Sequence, residues 1–356
     1  MTTRSEIKIV RFGQPRRRHR VIAILAVTFG LLWHTTITKA QTLERFEFHE
    51  PHLGTIVDLT LYAPDQTAAN DSARAAYARI EELNRILSDY NPDSEVMRLC
   101  RTAGTGNAVP VSEELFEVLA KSVEFARASD GAFDVTIGPV VKLWRVARRE
   151  KKLPSETDLA VARSLVDWRE IHLDSKKRTV MLGKPGMLLD FGGIAKGYIA
   201  DQARAVLAKR GISCCLISVA GDISAGDAAP SRDGWRIGIA PLDKPDGEPS
   251  RYLRLVNCSV STAGDAFQFI EIGGVRYSHI VDPKTGLGLT NRISVTVVSS
   301  QGVSADGLDT TASILGPERG LKLIEATKGA VGLISVANDT GVVVIESADF
   351  GKYIVR

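Results

Sequence analysis

The sequence has none of the features that place a chain outside the ordinary globular proteins. Its 356 residues contain no low-complexity tract and no repeat with a period of about 20–50 residues, which excludes solenoid repeats and long disordered tails. Cysteine is scarce, and no CxxC pair occurs that would indicate a zinc site. We therefore predict buried thiols and keep a disulfide involving Cys100 as the alternative; the four cysteines are Cys100, Cys214, Cys215 and Cys258.

Basic residues are not in excess once the N-terminus is set aside. Residues 1–40 hold eight Lys or Arg and one acidic residue, so the formal net charge of +3 becomes −4 for the rest, with 37 basic and 41 acidic residues. A domain with this balance has no basic surplus that would indicate nucleic-acid binding.

The N-terminus has the layout of an export signal. A basic region precedes 13 uncharged, mostly apolar residues at 21–33, fewer than the roughly 20 that a membrane span needs. Thr38 and Ala40 are small residues suited to cleavage before Gln41. We predict an exported, periplasmic protein with a signal peptide at 1–40 and one functional domain at 41–356. An uncleaved anchor that holds the protein at the inner membrane is the alternative.

The pattern of the remaining chain predicts a mixed α+β fold with largely antiparallel sheets flanked by helices. Apolar residues recur at helical spacing over 70–90, after Ser112 as far as Gly131, and over 194–210. Short helices are expected after Asp306 and Pro317. We expect a strand pair around residues 53–55 and further strands at 180–189, 214–219, 235–240, 252–260, 293–299 and 331–346. Helices and strands do not alternate strictly, which argues against a doubly wound parallel sheet.

The segment LDFGGIAKGY (189–198) indicates an anion site. A strand is expected to end at Asp190 and a helix to begin near Ile194. Free backbone N–H groups there can donate hydrogen bonds to a phosphate, and glycines let it come close. Lys196 adds a positive charge in the first turn. The segment matches neither the P-loop nor the dinucleotide fingerprint, and an ordinary glycine turn with an exposed lysine is the alternative.

The segment ADGLDTTA (305–312) indicates a metal site. Asp306, Asp309 and Thr310 lie at i, i+3 and i+4, so a helix would present all three on one face. Carboxylates and a hydroxyl are hard oxygen donors suited to Mg²⁺. The alternative is that Asp306 caps the helix and Asp309 is solvated.

Two further segments carry candidate side chains. RYSHIVDPKTG (276–286) ends a strand in a turn and contains His279, which is either a general base or a hydrogen-bonded structural histidine. GAFDVTIGPVVKLW (131–144) places Phe133 and Asp134 in a tight loop. Ordinary turn and core residues would have the same pattern.

Taken together, these segments resemble the ApbE family, the FAD:protein FMN transferases. The resemblance runs in the family's order over nearly all of the chain after residue 40. It rests on LGT (53–55), LSDYNPDSEVMRL (87–99), GAFDVTIGPVVKLW, LDFGGIAKGYIAD (189–201), VAGD (219–222), YSHIVDPKTG and ADGLDTTA.

The resemblance implies that the protein binds FAD and Mg²⁺ and transfers FMN to a Ser or Thr hydroxyl of a target protein, releasing AMP. By motif position, the FAD contacts would be Leu53, Tyr90, Ala132, Phe133, Asp134, Asp190, Lys196 and Ile280. The metal ligands would be Gly193, through its carbonyl, with Asp306, Asp309 and Thr310. His279 and Lys196 would be the catalytic groups. The target would be a subunit of a membrane or periplasmic redox complex.

Several positions depart from the family's usual pattern. Leu53 stands where methionine is common, and Asp309 stands where a small residue would ligate through its carbonyl. VAGD replaces paired glycines, and Ala263 replaces serine. Two other functions stay open on the sequence alone: a Mg²⁺-dependent FAD pyrophosphatase that uses water, and a periplasmic flavin-binding protein without catalysis.

Overall fold

The computed structural model describes residues 42–265 and 268–355. In chain order the elements are β1 (Glu44–His52), β2 (Thr55–Ala63), α1 (Gln66–Leu87), α2 (Glu95–Cys100), β3 (Val109–Pro110), α3 (Glu113–Ala128), α4 (Gly138–Glu150), α5 (Glu156–Ser164), β4 (Ile171–Asp174), β5 (Thr179–Leu182), α6 (Ala195–Lys209), β6 (Cys215–Val219), β7 (Asp222–Ala225), β8 (Trp235–Ile239), β9 (Arg251–Leu255), β10 (Cys258–Gly264), β11 (Phe269–Ile272), β12 (Val275–Ser278), β13 (Ile293–Ser299), α7 (Gly302–Leu315), α8 (Pro317–Ala326), β14 (Val331–Asn338) and β15 (Gly341–Glu346). The predicted signal segment lies outside the described residues. Within those residues, no helix is both long enough and apolar enough to cross a membrane.

An antiparallel sheet of eight strands forms the centre of the fold. Its order is β1-β2-β6-β7-β10-β13-β14-β15. Helices α1, α6 and α7 pack together, and the large apolar core lies between them and the sheet. A second apolar cluster on the other side of the sheet includes residues of the β8–β9 hairpin. Strand β13 is buried along its whole length because both of its faces are covered. The predicted α+β class with largely antiparallel sheets is confirmed.

Helix ends and turns follow the expected chemistry in most places. Ser112 Oγ accepts a hydrogen bond from the Leu115 backbone N–H (3.2 Å), which fixes the start of α3 as predicted. The predicted helix at 194–210 is observed as α6. Leu53 and Gly54 both have positive φ (56° and 73°) and form the tight turn of the predicted β1–β2 hairpin.

Several predictions of local structure were wrong. The strand expected at 331–346 is divided into β14 and β15. The strand expected to reach Asp190 ends at Leu182, and an irregular segment follows it. The strand expected at 252–260 is divided into β9 and β10 by Asn257, whose φ is +50°. Helix α1 begins at Gln66 because Asp65 caps it, not at residue 70. Helix α7 begins at Gly302, so Asp306 lies inside the helix and does not cap it.

The cysteines agree with the preferred prediction. All four are buried and free, and the disulfide alternative does not occur in the structure.

Candidate functional site

A cavity of about 910 Å³ lies beside the centre of the large sheet. Every residue that the sequence predicted for FAD, metal or catalysis lines it, although these residues come from segments far apart in the chain. They are Leu53, Tyr90, Ala132, Phe133, Asp134, Asp190, Gly193, Lys196, His279, Ile280, Asp306, Asp309 and Thr310. The structure thus brings the predicted set together, and what each residue binds stays a prediction.

Lys196 is held at one end of the cavity by carboxylates from two other elements. Its Nζ lies 2.9 Å from Asp222 Oδ2 and 3.6 Å from Asp306 Oδ1, and it donates to the Gly192 carbonyl at 3.2 Å. Burial alone lowers the pKa of Lys196, but the two carboxylates outweigh this effect and raise the pKa above its ordinary value. The lysine is therefore a fixed positive charge at the start of α6.

Asp306 and Asp309 project from α7 toward the same point. Asp306 Oδ2 accepts a hydrogen bond from the Gly197 backbone N–H at 3.0 Å. Asp309 Oδ2 accepts one from Ser261 Oγ at 2.5 Å, and the same hydroxyl contacts Asp222. Burial, followed by the neighbouring carboxylates, raises the pKa of Asp306 to about 7 and raises the pKa of Asp309 well above its ordinary range. These carboxylates are crowded and only partly neutralised by Lys196.

The oxygen atoms of Asp306, Asp309 and Thr310 and of the nearby backbone could together bind a hard cation. No group of three or more His, Cys, Asp or Glu side chains forms a metal cluster within residues 42–265 and 268–355, so any ion there would need backbone, hydroxyl or substrate oxygens as well. Asp309 Oδ1 is buried and has no hydrogen-bond partner in the described structure. A Cβ atom on Gly193 would lie 2.9 Å from Thr310 Oγ1, so only glycine lets this backbone approach Thr310. The residues present fit a Mg²⁺ ion.

His279 directly follows β12 and lines the cavity. Its Nδ1 lies 3.1 Å from the Gln268 carbonyl oxygen, which can only accept, so Nδ1 carries the proton and Nε2 has the free lone pair. Desolvation lowers the pKa of His279 to about 4. The imidazole is therefore neutral at pH 7, which is the form that a general base requires.

An aromatic ring and an arginine stand at the mouth of the cavity. Tyr90 is 77% exposed, and the guanidinium carbon of Arg145 lies 3.9 Å from the centre of its ring. Arg145 also pairs with Asp89 and, at 3.1 Å, with Asp190 Oδ2. Burial and the charge of Asp89 raise the pKa of Asp190 to about 6, against the effect of Arg145.

The carboxylate of Asp134 is occupied by internal hydrogen bonds. It accepts from the backbone N–H and hydroxyl of Thr136 (2.9 and 2.6 Å) and from the Trp168 backbone N–H (3.0 Å). Asp134 thus holds the loop that presents Ala132 and Phe133 to the cavity, and its oxygens are engaged with protein groups.

Sequence reasoning missed three residues of this site: Asp222, Ser261 and Arg145. Asp222 begins β7 after a two-residue turn in which Ala220 and Gly221 have positive φ. VAGD was recognised as a motif, but the partner that gives Asp222 its role lies on another element. Nothing in the sequence shows that these side chains meet.

The protein has an α+β fold with a cavity that extends from the exposed Tyr90 ring to Lys196 and the buried carboxylates of Asp222 and Asp306. The sequence profile described as the ApbE family matches residues 53–334, and the chain belongs to that family.

Several relatives have the same overall architecture or sequence pattern. The FAD:protein FMN transferase of Haemophilus influenzae is 31% identical over 284 residues, which cover 77% of this chain and 81% of that protein. The Vibrio cholerae protein of the same name is 30% identical over 322 residues, covering 88% and 94%. The solved structure titled flavin transferase ApbE from Vibrio cholerae has a TM-score of 0.78 at 28% identity, covering 88% of this chain and all of that one. The apo form of the Pseudomonas stutzeri flavinyl transferase ApbE has a TM-score of 0.76 at 29% identity, covering 87% and 97%.

Proposed function

We propose that this protein is an FAD:protein FMN transferase that uses Mg²⁺, attaches FMN to a Ser or Thr hydroxyl of a target protein and releases AMP. The observation that carries the proposal is the cavity itself. It joins Tyr90 at the mouth to Lys196, Asp306 and Thr310 at the buried end, with a neutral His279 on its wall. Relatives with the same name support the activity.

The reaction assigns a distinct task to each of these groups. The target's hydroxyl oxygen attacks the phosphorus of the FMN half of FAD, the bond from that phosphorus to the bridging oxygen breaks, and AMP leaves. His279 Nε2 takes the hydroxyl proton. Lys196 stabilises the charge that develops on the phosphate oxygens. Phosphoryl transfer of this kind depends on positioning and charge stabilisation.

The metal would be held by the Gly193 carbonyl together with Asp306, Asp309 and Thr310. When bound, Mg²⁺ would neutralise pyrophosphate charge and orient the phosphates. The unpartnered Oδ1 of Asp309 supports a ligand role for this side chain, which the family's usual small residue does not suggest.

The place of action and the target are part of the same proposal. Basic and apolar residues within 1–40 support export to the periplasm, with or without retention at the inner membrane. An acceptor in that compartment would be an exposed Ser or Thr on a subunit of a periplasmic or membrane redox complex.

Mass spectrometry tests the proposal directly. The purified chain is incubated with FAD, MgCl₂ and envelope proteins from a strain of the source organism that lacks this gene. We expect one FMN to be added to a Ser or Thr of an acceptor, with AMP released. Asp306→Asn should abolish the adduct, and Asp233→Asn, at an exposed position, should leave it unchanged. Free FMN and AMP without an adduct would identify a pyrophosphatase, and intact FAD would identify a binding protein; either result refutes transfer.

A further inference from the structure

Arg145 of α4 contacts both the aromatic and the acidic side of the cavity mouth. Its guanidinium lies over the Tyr90 ring, and its Nη2 bonds both Asp89 and Asp190. A guanidinium is planar and has several donors in fixed directions, so it can stack and pair at once, which a lysine ammonium cannot do. Tyr90 is otherwise largely exposed. The position of its ring therefore depends on Arg145.

The contacts continue from Arg145 to the phosphate end of the cavity. Asp190 Oδ1 accepts a hydrogen bond from the Gly192 backbone N–H at 2.8 Å. The Gly192 carbonyl in turn accepts one from Lys196 Nζ at 3.2 Å. An unbroken series of polar contacts thus runs from the Tyr90 ring through Arg145 and Asp190 to the lysine.

The preceding residue of α4, Trp144, contacts the chain on both sides of the segment that carries His279. Trp144 is buried, its Nε1–H donates to the Gly286 carbonyl at 2.8 Å, and its ring lies 5.4 Å from that of Tyr277. Gly286 and Tyr277 flank the segment that carries His279. Adjacent residues of one helix therefore hold the two sides of the cavity.

We infer that Arg145 is a positioning residue for FAD. It holds the Tyr90 ring and the Asp190–Lys196 segment at one fixed separation. A single FAD molecule can then place its planar flavin ring at the mouth and its pyrophosphate at the buried end. The inference rests on the proposed function and assigns Arg145 to substrate binding; the residue does not touch the reacting atoms.

A double-mutant cycle tests this role. FAD dissociation constants are measured by flavin fluorescence, and KM and kcat by AMP release, for the wild type, Arg145→Lys, Tyr90→Leu and the double variant. Arg145→Lys keeps the positive charge but removes the planar group that stacks on Tyr90 and pairs with both carboxylates. We therefore expect Arg145→Lys to raise the Kd and KM of FAD about tenfold, with kcat changed less than about threefold. In the Tyr90→Leu background the same change should raise Kd less than about threefold, because the ring is already gone.

Arg149→Lys is the matched control. Arg149 lies on the same helix, but its side chain is exposed and, within residues 42–265 and 268–355, its one ion pair is with the neighbouring Glu150, so FAD binding should not change. Thermal unfolding of each variant separates a folding defect from a binding defect.

The inference is overturned if Arg145→Lys leaves FAD binding unchanged, or weakens it by the same factor with and without Tyr90. A loss of thermal stability without a change in Kd also overturns it. Wild-type protein that binds FAD but forms no FMN adduct refutes the proposed transfer while leaving the Arg145 measurement valid. Wild-type protein that binds no FAD refutes both.

Discussion

Replacement of Lys196 by methionine removes the positive side chain that contacts the buried carboxylates of Asp222 and Asp306. Asp222 and Asp306, whose side chains are 5% and 3% exposed, would each lose an ionic partner. Breaking a fully buried ion pair from one side costs about 3–5 kcal/mol. The lysine itself is 33% exposed, and solvent screening weakens its contribution. We therefore expect Lys196→Met to lower the free energy of unfolding by about 2–3 kcal/mol.

The effect on activity should exceed the effect on stability. Loss of one preorganised group that stabilises a developing negative charge costs about 10²–10³ in kcat. We expect AMP release from FAD to fall by that factor in Lys196→Met under conditions where the variant is folded. Urea unfolding followed by circular dichroism gives the stability, and chromatography of AMP gives the rate.

Lys184 provides a matched control for this substitution. Its side chain is 34% exposed and lies 3.1 Å from Asp167, which is itself 27% exposed. Lys184→Met removes the same charge with the same side chain, but from a single carboxylate partner that is more exposed. It should cost less than about 1 kcal/mol and leave AMP release unchanged. Equal destabilisation by the two substitutions would refute the argument that burial of the partners makes Lys196 important.

Three further predictions concern the base, the helix crossing and the metal. His279→Ala should reduce the rate of AMP release during FMN transfer by about 10²–10⁴. In the wild type the rate should fall as His279 is protonated near pH 4, because desolvation lowers the pKa of this residue to about 4. A pH–rate profile in which His279 causes the rate to fall near pH 6.5 would contradict this. The unfolded chain takes up that proton near pH 6.5, so His279 should lower the free energy of unfolding as the pH falls from 6.5 toward 4, which urea titrations of the wild type and His279→Ala would detect. Gly197→Ala should lower the free energy of unfolding, measured in urea, by about 1–3 kcal/mol or more. The reason is that its Cβ would lie 2.1 Å from the Gly302 carbonyl oxygen, where α6 contacts α7. An unfolding midpoint equal to that of the wild type would show that the two helices can move apart at little cost. Chelation by EDTA should reduce AMP release to background and MgCl₂ should restore it; activity that survives EDTA would refute the metal requirement.

The sequence predicted those parts of the fold that depend on local interactions. Helix α3 has a serine cap with acidic residues in its first turn, and α6 follows paired glycines, so both were found close to their observed ends. The β1–β2 hairpin was found from its turn. Helix α4 was not predicted, because Gly138 and Pro139 in its first turn are also typical of a loop. The signal was present: Val140, Trp144 and Ala147 are buried at helical spacing, and proline is tolerated at the start of a helix.

The composition of the candidate site depended on long-range contacts and was only partly predictable. The helical spacing of Asp306, Asp309 and Thr310 correctly indicated one face, and all three line the cavity. No local pattern indicates that Asp222, from a β-turn, lies 2.9 Å from Lys196. Arg145 was equally hidden, because an arginine in an amphipathic helix is usually solvated. Such residues acquire a role only from elements that are distant in the chain.

The balance of charge at the buried end of the cavity bears on how FAD and a cation would bind. Asp222 and Asp306 contact Lys196 there, and the Ser261 hydroxyl joins Asp309 to Asp222. Burial, and after it the charge of the neighbouring carboxylates, raises the pKa values of Asp306 and Asp309. A pyrophosphate brings further negative charge to the same place and would be repelled by this cluster alone. A divalent cation held by these carboxylates would supply positive charge and reverse the sign of that interaction. Because the carboxylates at this end of the cavity outnumber Lys196, we expect the cation and FAD to bind together, with each increasing the affinity for the other.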